Sequence, residues 1–511
     1  MLPFLNSAKS SGQKQVVAFR GINWSDQYQD GDLRNSLNLS ARRYPYLTTR
    51  RSRGRLSEYS GATAMTARAG LVVVQGTDLL YDGVVVGQVT AGEKQFAVVN
   101  TKMVIWPDKV YLDLTSRTVK PLAAVMTGTG ATFSADGVMT VTGWGDLTEH
   151  FNVGDGITIS GCTAVAGNNK SDVTIKKITA NSITVGTDVF AEGTETGTIK
   201  LERRIPDMDF ICESENRLWG CSSKAQTIYA SALGDPTNFF VFDSLSTDSY
   251  ALAIGTEGEF TGCCKLSSSV LFWKETKLHK MLGSYPAEYS MFTYDIEGLQ
   301  RGCHKSLQII NEVLYYMGLH GVYAYTGGMP SLVSAAFGDK VLTDAVAGTD
   351  GDSYYLSVAE GNNRHFLVYE TNTAMWVRED STQAVDFGRV GKNLYFLDGN
   401  GNVWVADSRA EEIGMAWMAQ FAPFYETIQG RKRYTKMLLR LELPKGAWMK
   451  AEIRCDGGNW LEAGKILGQD MDSIPLQFPI RRCDCFEVRL SGSGPCTIRT
   501  MMLEYQVGSD V

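Results

Sequence analysis

Histidine is scarce: five occur in 511 residues, at His150, His279, His304, His320 and His365. None pairs at the spacing of a His-Glu-x-x-His site, and neither a Gly-x-Ser-x-Gly elbow nor a phosphate loop ending in Gly-Lys-Ser/Thr is present. These absences remove the local signatures of zinc hydrolases, α/β-hydrolases and P-loop enzymes, and the expectation is a chain without enzyme activity, metal or cofactor. Long apolar runs are also missing. No stretch approaches the ~18 residues of a membrane-spanning helix, so no membrane span is expected. The opening Met1-Leu2-Pro3-Phe4-Leu5 has neither the basic region nor the apolar core of a secretory signal, which points to a chain made and kept in a cytoplasm unless carried out within something larger. Net charge is only −7, too weak and of the wrong sign for the basic field of a dedicated nucleic-acid binder.

The ten cysteines read as buried thiols, as expected in a large cytosolic chain. Cys162, Cys212, Cys263 and Cys264 lie in or beside apolar runs, as core thiols do. Cys483-Asp484-Cys485 lacks the second pair that a zinc site needs, and strand alternation places both thiols on one face. Asp398-Gly399-Asn400-Gly401-Asn402 opens like a calcium loop, but Val403 replaces the sixth-position Gly and Arg409 the twelfth-position Glu. A hairpin turn with positive φ is the better account. Ser134-Ala135-Asp136-Gly137 is similar to the start of a sialidase turn motif, yet it occurs once and its Gly comes one residue early.

What the chain does have is glycine, 52 residues, and 44% hydrophobic content with sparse helical periodicity, which favours many short strands. One phrase repeats: an apolar run, a polar turn, then a β-branched residue or leucine followed by an aromatic or histidine. It appears at Leu79-Leu80-Tyr81, Lys109-Val110-Tyr111, Thr227-Ile228-Tyr229, Lys277-Leu278-His279, Gly321-Val322-Tyr323, Leu367-Val368-Tyr369 and Asn402-Val403-Trp404. Short strand pairs recurring every ~35–50 residues signify a radial array of small sheets. The fold class is therefore all-β, a β-propeller of six or seven blades. His279, His320 and His365 fall in or beside these phrases and read as packing or turn residues.

The step from Tyr111 to Tyr229 is too long for one blade of ~45 residues. The surplus, residues 126–202, shows alternating segments such as Gly156-Ile157-Thr158-Ile159 and Asn181-Ser182-Ile183-Thr184-Val185, and is expected to be an inserted small β-barrel or sandwich. The propeller then occupies 66–125 and 203–410. Beyond it, alternation at longer spacing in Met437–Leu443 and Cys485–Leu490 predicts a C-terminal β-sandwich platform over 411–511. Residues 1–65 read as an extended N-terminal arm. It carries Arg42, Arg43, Arg50, Arg51, Arg53 and Arg55, candidates for contact with DNA phosphate or an acidic partner because the guanidinium fork matches such anions; a solvated arm is the plainer reading.

Several phrases taken in order resemble the tail nozzle (tail hub) proteins of short-tailed bacteriophages, the group that includes packaged-DNA stabilisation proteins. They are Phe19-Arg20-Gly21-Ile22-Asn23 with Asn35-Ser36-Leu37-Asn38, Asn216-Arg217-Leu218-Trp219-Gly220 leading to Thr227–Asn238, Phe366-Leu367-Val368-Tyr369 with Trp376, and Phe486–Leu490 with Cys496-Thr497-Ile498. The block 126–202 has no counterpart. The resemblance implies a virion structural protein: a homo-oligomeric ring, a hexamer, attached to a tail adaptor linked to the portal, and meeting a tail fibre, needle or plug protein. Such a ring retains packaged DNA and passes the double-stranded DNA transiently on ejection, so its place is the virion tail, assembled in the host bacterial cytoplasm. Two alternatives stand beside it: a receptor-binding or fibre-associated propeller, with exposed aromatics on one face and trimeric assembly, and a polysaccharide-degrading propeller enzyme, marked by two carboxylates ~5–10 Å apart at the propeller mouth.

Overall fold

The computed structural model describes residues 10–68, 70–408, 412, 414–425, 431–469, 473–477 and 482–507. Among them the only helices are five single 3₁₀ turns. Seven four-stranded antiparallel sheets form the blades of a β-propeller. In chain order they span 62–88, 95–121, 210–253, 262–295, 308–332, 343–380 and 384–405, and the last is completed by Gly54–Leu56, which pairs with Val403–Val405. Two further sheets, of seven and eleven strands, lie outside the blades. The chain divides into two compact units, 71–304 and 1–70 with 305–511.

The repeated phrase is the third strand of every blade, and the apolar run before it is the second. Second strands such as Leu71–Gln75, Ser269–Trp273 and Val313–Gly318 are buried almost throughout, because blades stacked face to face cover both sides of their middle strands and select continuous apolar runs. Strand one turns into strand two through two-residue hairpins whose central residues have positive φ, as at Glu215-Asn216 and Asn311-Glu312, the conformation that matches strand twist. Five markers, Tyr111, Tyr229, His279, Tyr323 and Trp404, face the second strand opposite Val104, Gly220, Phe272, Tyr316 and Phe396. At three of the five the residue before the marker is the more deeply buried: Ile228, Val322 and Val403 are fully enclosed, while Tyr229, Tyr323 and Trp404 are half-buried; His279 is enclosed together with Leu278, and Val110 and Tyr111 are both half-buried. Adjacent strand residues point to opposite faces, so at Tyr229, Tyr323 and Trp404 the aromatic looks to the less covered side.

Within the 71–304 unit, the inserted sheet runs from Val125 to Arg203. It is one continuous seven-stranded sheet around its own core, including Phe133, Met139, Phe151, Ile157, Ile183 and Leu201. Its first and last strands pair with each other from Val125↔Glu202 onward, so the chain leaves and re-enters the blade array at one point. Arg203 fastens that neck: Nε donates to Asp155 Oδ2 at 2.7 Å and the guanidinium also donates to the carbonyls of Leu122 (3.2 Å) and His150 (2.6 Å).

Residues 10–65 are not an extended arm. Ser10–Val16 and Leu47–Thr49 pair with Thr497–Val507, and Leu33–Leu37 pairs with Ala416–Phe421. The terminal platform is therefore an eleven-stranded sheet built from both chain ends, rather than a sandwich of 411–511 alone. Its spine is Lys432–Cys455, which pairs with Thr497–Val507 over its first half and with Phe486–Ser493 over its second. The propeller likewise begins at Gly54, not at 66. Polar strands such as Ser10–Val16 have no local apolar alternation, and their partners lie ~490 residues away, beyond any windowed pattern.

Candidate functional site

The segment 38–53 lies along the blades at 343–380 and 384–405, and its six arginines separate into three groups. Arg50 and Arg53 are buried in an ion-pair cluster. Arg50 donates to both oxygens of Glu412 (2.8 and 3.1 Å) and to Asn38 Oδ1 (2.7 Å). Arg53 donates to Glu379 and Asp380 (2.5 and 2.7 Å) and lies over the rings of Phe366 and Phe396. Burial disfavours the Arg53 charge, but Glu379 and Asp380 outweigh it and raise the pKa. Arg43 and Arg55 are exposed; the backbone of Arg55 belongs to the strand closing the last blade, opposite Trp404. These four are not gathered at one surface. Arg42 and Arg51 are brought together at a cavity.

That cavity, ≈ 660 Å³, is lined by Arg42, Arg51, Ile309–Asn311, Asp350–Asp352, Tyr355, Arg389, Lys392–Leu394, Ala406 and Asp407. Its lining includes the turns from first to second strand in three successive blades, at Asn311, Asp350-Gly351-Asp352 and Lys392. Arg42 lines the cavity, bonded to Asp350, Glu370 (3.1 Å), Ser353 Oγ (3.0 Å) and the Tyr355 hydroxyl (2.9 Å). Burial would raise the Asp350 pKa, but Arg42 and the amides of Ser353 and Asp352 bring it below the usual carboxylate range. Glu370, which also accepts from Ser353 Oγ at 2.7 Å, is pushed up by burial, and Arg42 offsets this only in part. Both carboxylates are thus spent on clamping one guanidinium.

Arg51 pairs with Asp407. Arg389 and Lys392 are exposed and have no carboxylate partner among the described residues. Arg389 donates from Nε to the carbonyl of Gly391 at 2.8 Å, and its guanidinium lies against Gly351, where a Cβ would come within 2.7 Å of Nη1. Gly351, at φ +111°, therefore both permits the turn and leaves room for the guanidinium. Sequence reading missed Arg389, Lys392 and Asp352. Their signal was available, since each precedes an apolar run that marks a second strand, and equivalent turns of successive blades share one face.

The other expectations have definite places. Asp398 accepts from the amides of Asn400 and Asn402, each at 2.9 Å, and from Trp404 Nε1 at 2.8 Å, closing a turn. Ser134–Gly137 is the hairpin between Val125–Phe133 and Val138–Val141. His279 is fully enclosed between Thr256 and Thr293. Among the described residues, no group of three or more His, Cys, Asp or Glu is arranged to hold a metal, and no helix is long and apolar enough to cross a membrane.

No family model and no curated protein matches the chain. Solved structures similar to it include BamB from Moraxella catarrhalis (12% identity over 71% of this chain and 99% of that one, TM-score 0.35) and Hsv2 from Kluyveromyces lactis (12%, 39% and 60%, TM-score 0.28). An exo-β-1,3-galactanase from Phanerochaete chrysosporium is also similar (7% identity, 56% and 92%, TM-score 0.21).

Proposed function

We propose that this chain is a structural subunit of a bacteriophage tail nozzle, a hexameric ring that retains packaged DNA and gives it a path on ejection. The observation that carries the reading is where the family-like phrases lie. The two N-terminal phrases meet the blade that carries Trp376. Ile22 donates its amide to the Trp376 carbonyl at 2.6 Å, and Gly21 lies so close that a Cβ would come within 2.0 Å of the same oxygen. Ser36 exchanges hydrogen bonds of 3.0 Å with the Arg378 backbone. Phe19 packs on Phe421, and Thr49 donates its amide to the carbonyl of Cys496. The contacts at Trp376 and Arg378 tie the two N-terminal phrases to the blade at 343–380, while those at Phe421 and Cys496 hold the chain ends together within the platform sheet.

The charge pattern is compatible. A channel that DNA must traverse cannot hold phosphates tightly, because each neutralised phosphate adds salt-dependent affinity, and Arg42, Arg50 and Arg53 are all consumed by carboxylates. The test is location. An antibody raised against the chain should label the tail tip of intact short-tailed particles; labelling confined to fibres would favour a receptor-binding role. Release of sugars from host polysaccharide by the purified chain would favour an enzyme.

A further inference from the structure

We propose that the cavity on the turns of the last three blades binds an acidic peptide segment of a partner protein, with Arg389 and Lys392 as the recognising cations. This stands apart from the tail-nozzle reading, since it rests on the cavity alone. Of the four cations in the lining, Arg42 is locked by Asp350 and Glu370 and Arg51 is matched by Asp407. Arg389 and Lys392 come from adjoining positions on one blade, and their charges are answered by no carboxylate among the described residues. Arg389 is also oriented, held by the Gly391 carbonyl and set against a Cβ-free Gly351, so little side-chain freedom is lost when its fork engages a carboxylate.

The occupant's chemistry follows from the rest of the wall. Asp352 is exposed and enters no ion pair among the described residues, so a dense polyanion meets repulsion at the lip. Exposed Ile309, at 42%, supplies apolar surface that a phosphate chain cannot use. A segment with spaced carboxylates and small or apolar residues between them satisfies both. Duplex DNA, with one charge per ~1.7 Å of axis, satisfies neither.

The experiment uses the full chain and fluorescein-labelled peptides of alternating Glu and Gly, with a Gln-Gly peptide as control and a short DNA duplex and tripolyphosphate as competitors. The Glu peptide should bind, the Gln peptide should not, and Arg389→Gln with Lys392→Gln should weaken binding by about tenfold or more. Because Arg389 also braces a turn, the exposed Lys392→Glu variant is read separately and should weaken binding on its own with an unchanged melting temperature. Arg43→Gln should leave binding intact. Equal binding of both peptides, or indifference to both sets of variants, overturns the proposal. Stronger competition by tripolyphosphate or DNA also overturns it, and assigns the site to phosphate.

Discussion

Arg53 shows how a cationic stretch can be structural. Its guanidinium is enclosed with Glu379 and Asp380, and removing one member of such a cluster leaves buried charge without compensation. Arg53→Ala should lower unfolding stability by about 3–5 kcal/mol, whereas exposed Arg43→Ala should change it by less than about 0.5 kcal/mol; urea midpoints of the two variants distinguish them. His279 gives a pH-dependent counterpart. Burial, with smaller contributions from Lys274 and Lys277, holds its pKa down to about 4, below the ~6.5 of an unfolded histidine. The folded state therefore binds fewer protons between these values. The stabilisation is complete above about pH 6.5, falls as pH drops, and is gone below about pH 4, a loss on the order of 3 kcal/mol. Between about pH 7 and pH 4.5, the native chain should lose more stability than His279→Gln; parallel losses in denaturant titrations would contradict this placement.

Among the elements, the inserted sheet gives the sharpest test. It has its own core and a single paired neck, yet it also rests on the 238–243 loop: Gly156 lies against Phe240, Gly154 against Val241, and Lys176 pairs with Asp243 at 2.7 Å. Excising 124–204 with a short linker should leave the blades folded but uncover Phe240 and Val241. The expected outcome is one cooperative unfolding transition at slightly lower denaturant, with Trp219 and its neighbours still protected from hydrogen exchange. Loss of cooperativity would mean that the insert is part of the blade core. The inserted sheet spans Val125–Arg203, and its alternation and its break in blade spacing are local patterns that a sequence displays. Blade strands two and three were legible for the same reason. The closing strand Gly54–Leu56 and the platform strands Ser10–Val16 and Leu33–Leu37 were not, since they are short and largely polar and find partners hundreds of residues away. For the site, composition pointed to Arg42 and Arg51, but only the shared face of three turns brought in Arg389, Lys392 and Asp352.

For the whole molecule, the proposed tail-nozzle role requires ring assembly. The outer strand Ser290–Asp295 exposes Phe292 and Tyr294 at 46% and 42%, and the outer strand Val84–Gln88 exposes Val84 and Val85 at 56% and 55%. Large apolar side chains on blade edges suit contact with other subunits, and a closed ring needs two different surfaces on each copy. The most direct measurement is the mass and rotational symmetry of the particle formed by the purified full chain, by native mass spectrometry with averaged electron images. A six-fold ring with an open axial channel is the result this account predicts. A stable monomer at high concentration, or a closed trimer without a channel, would contradict it.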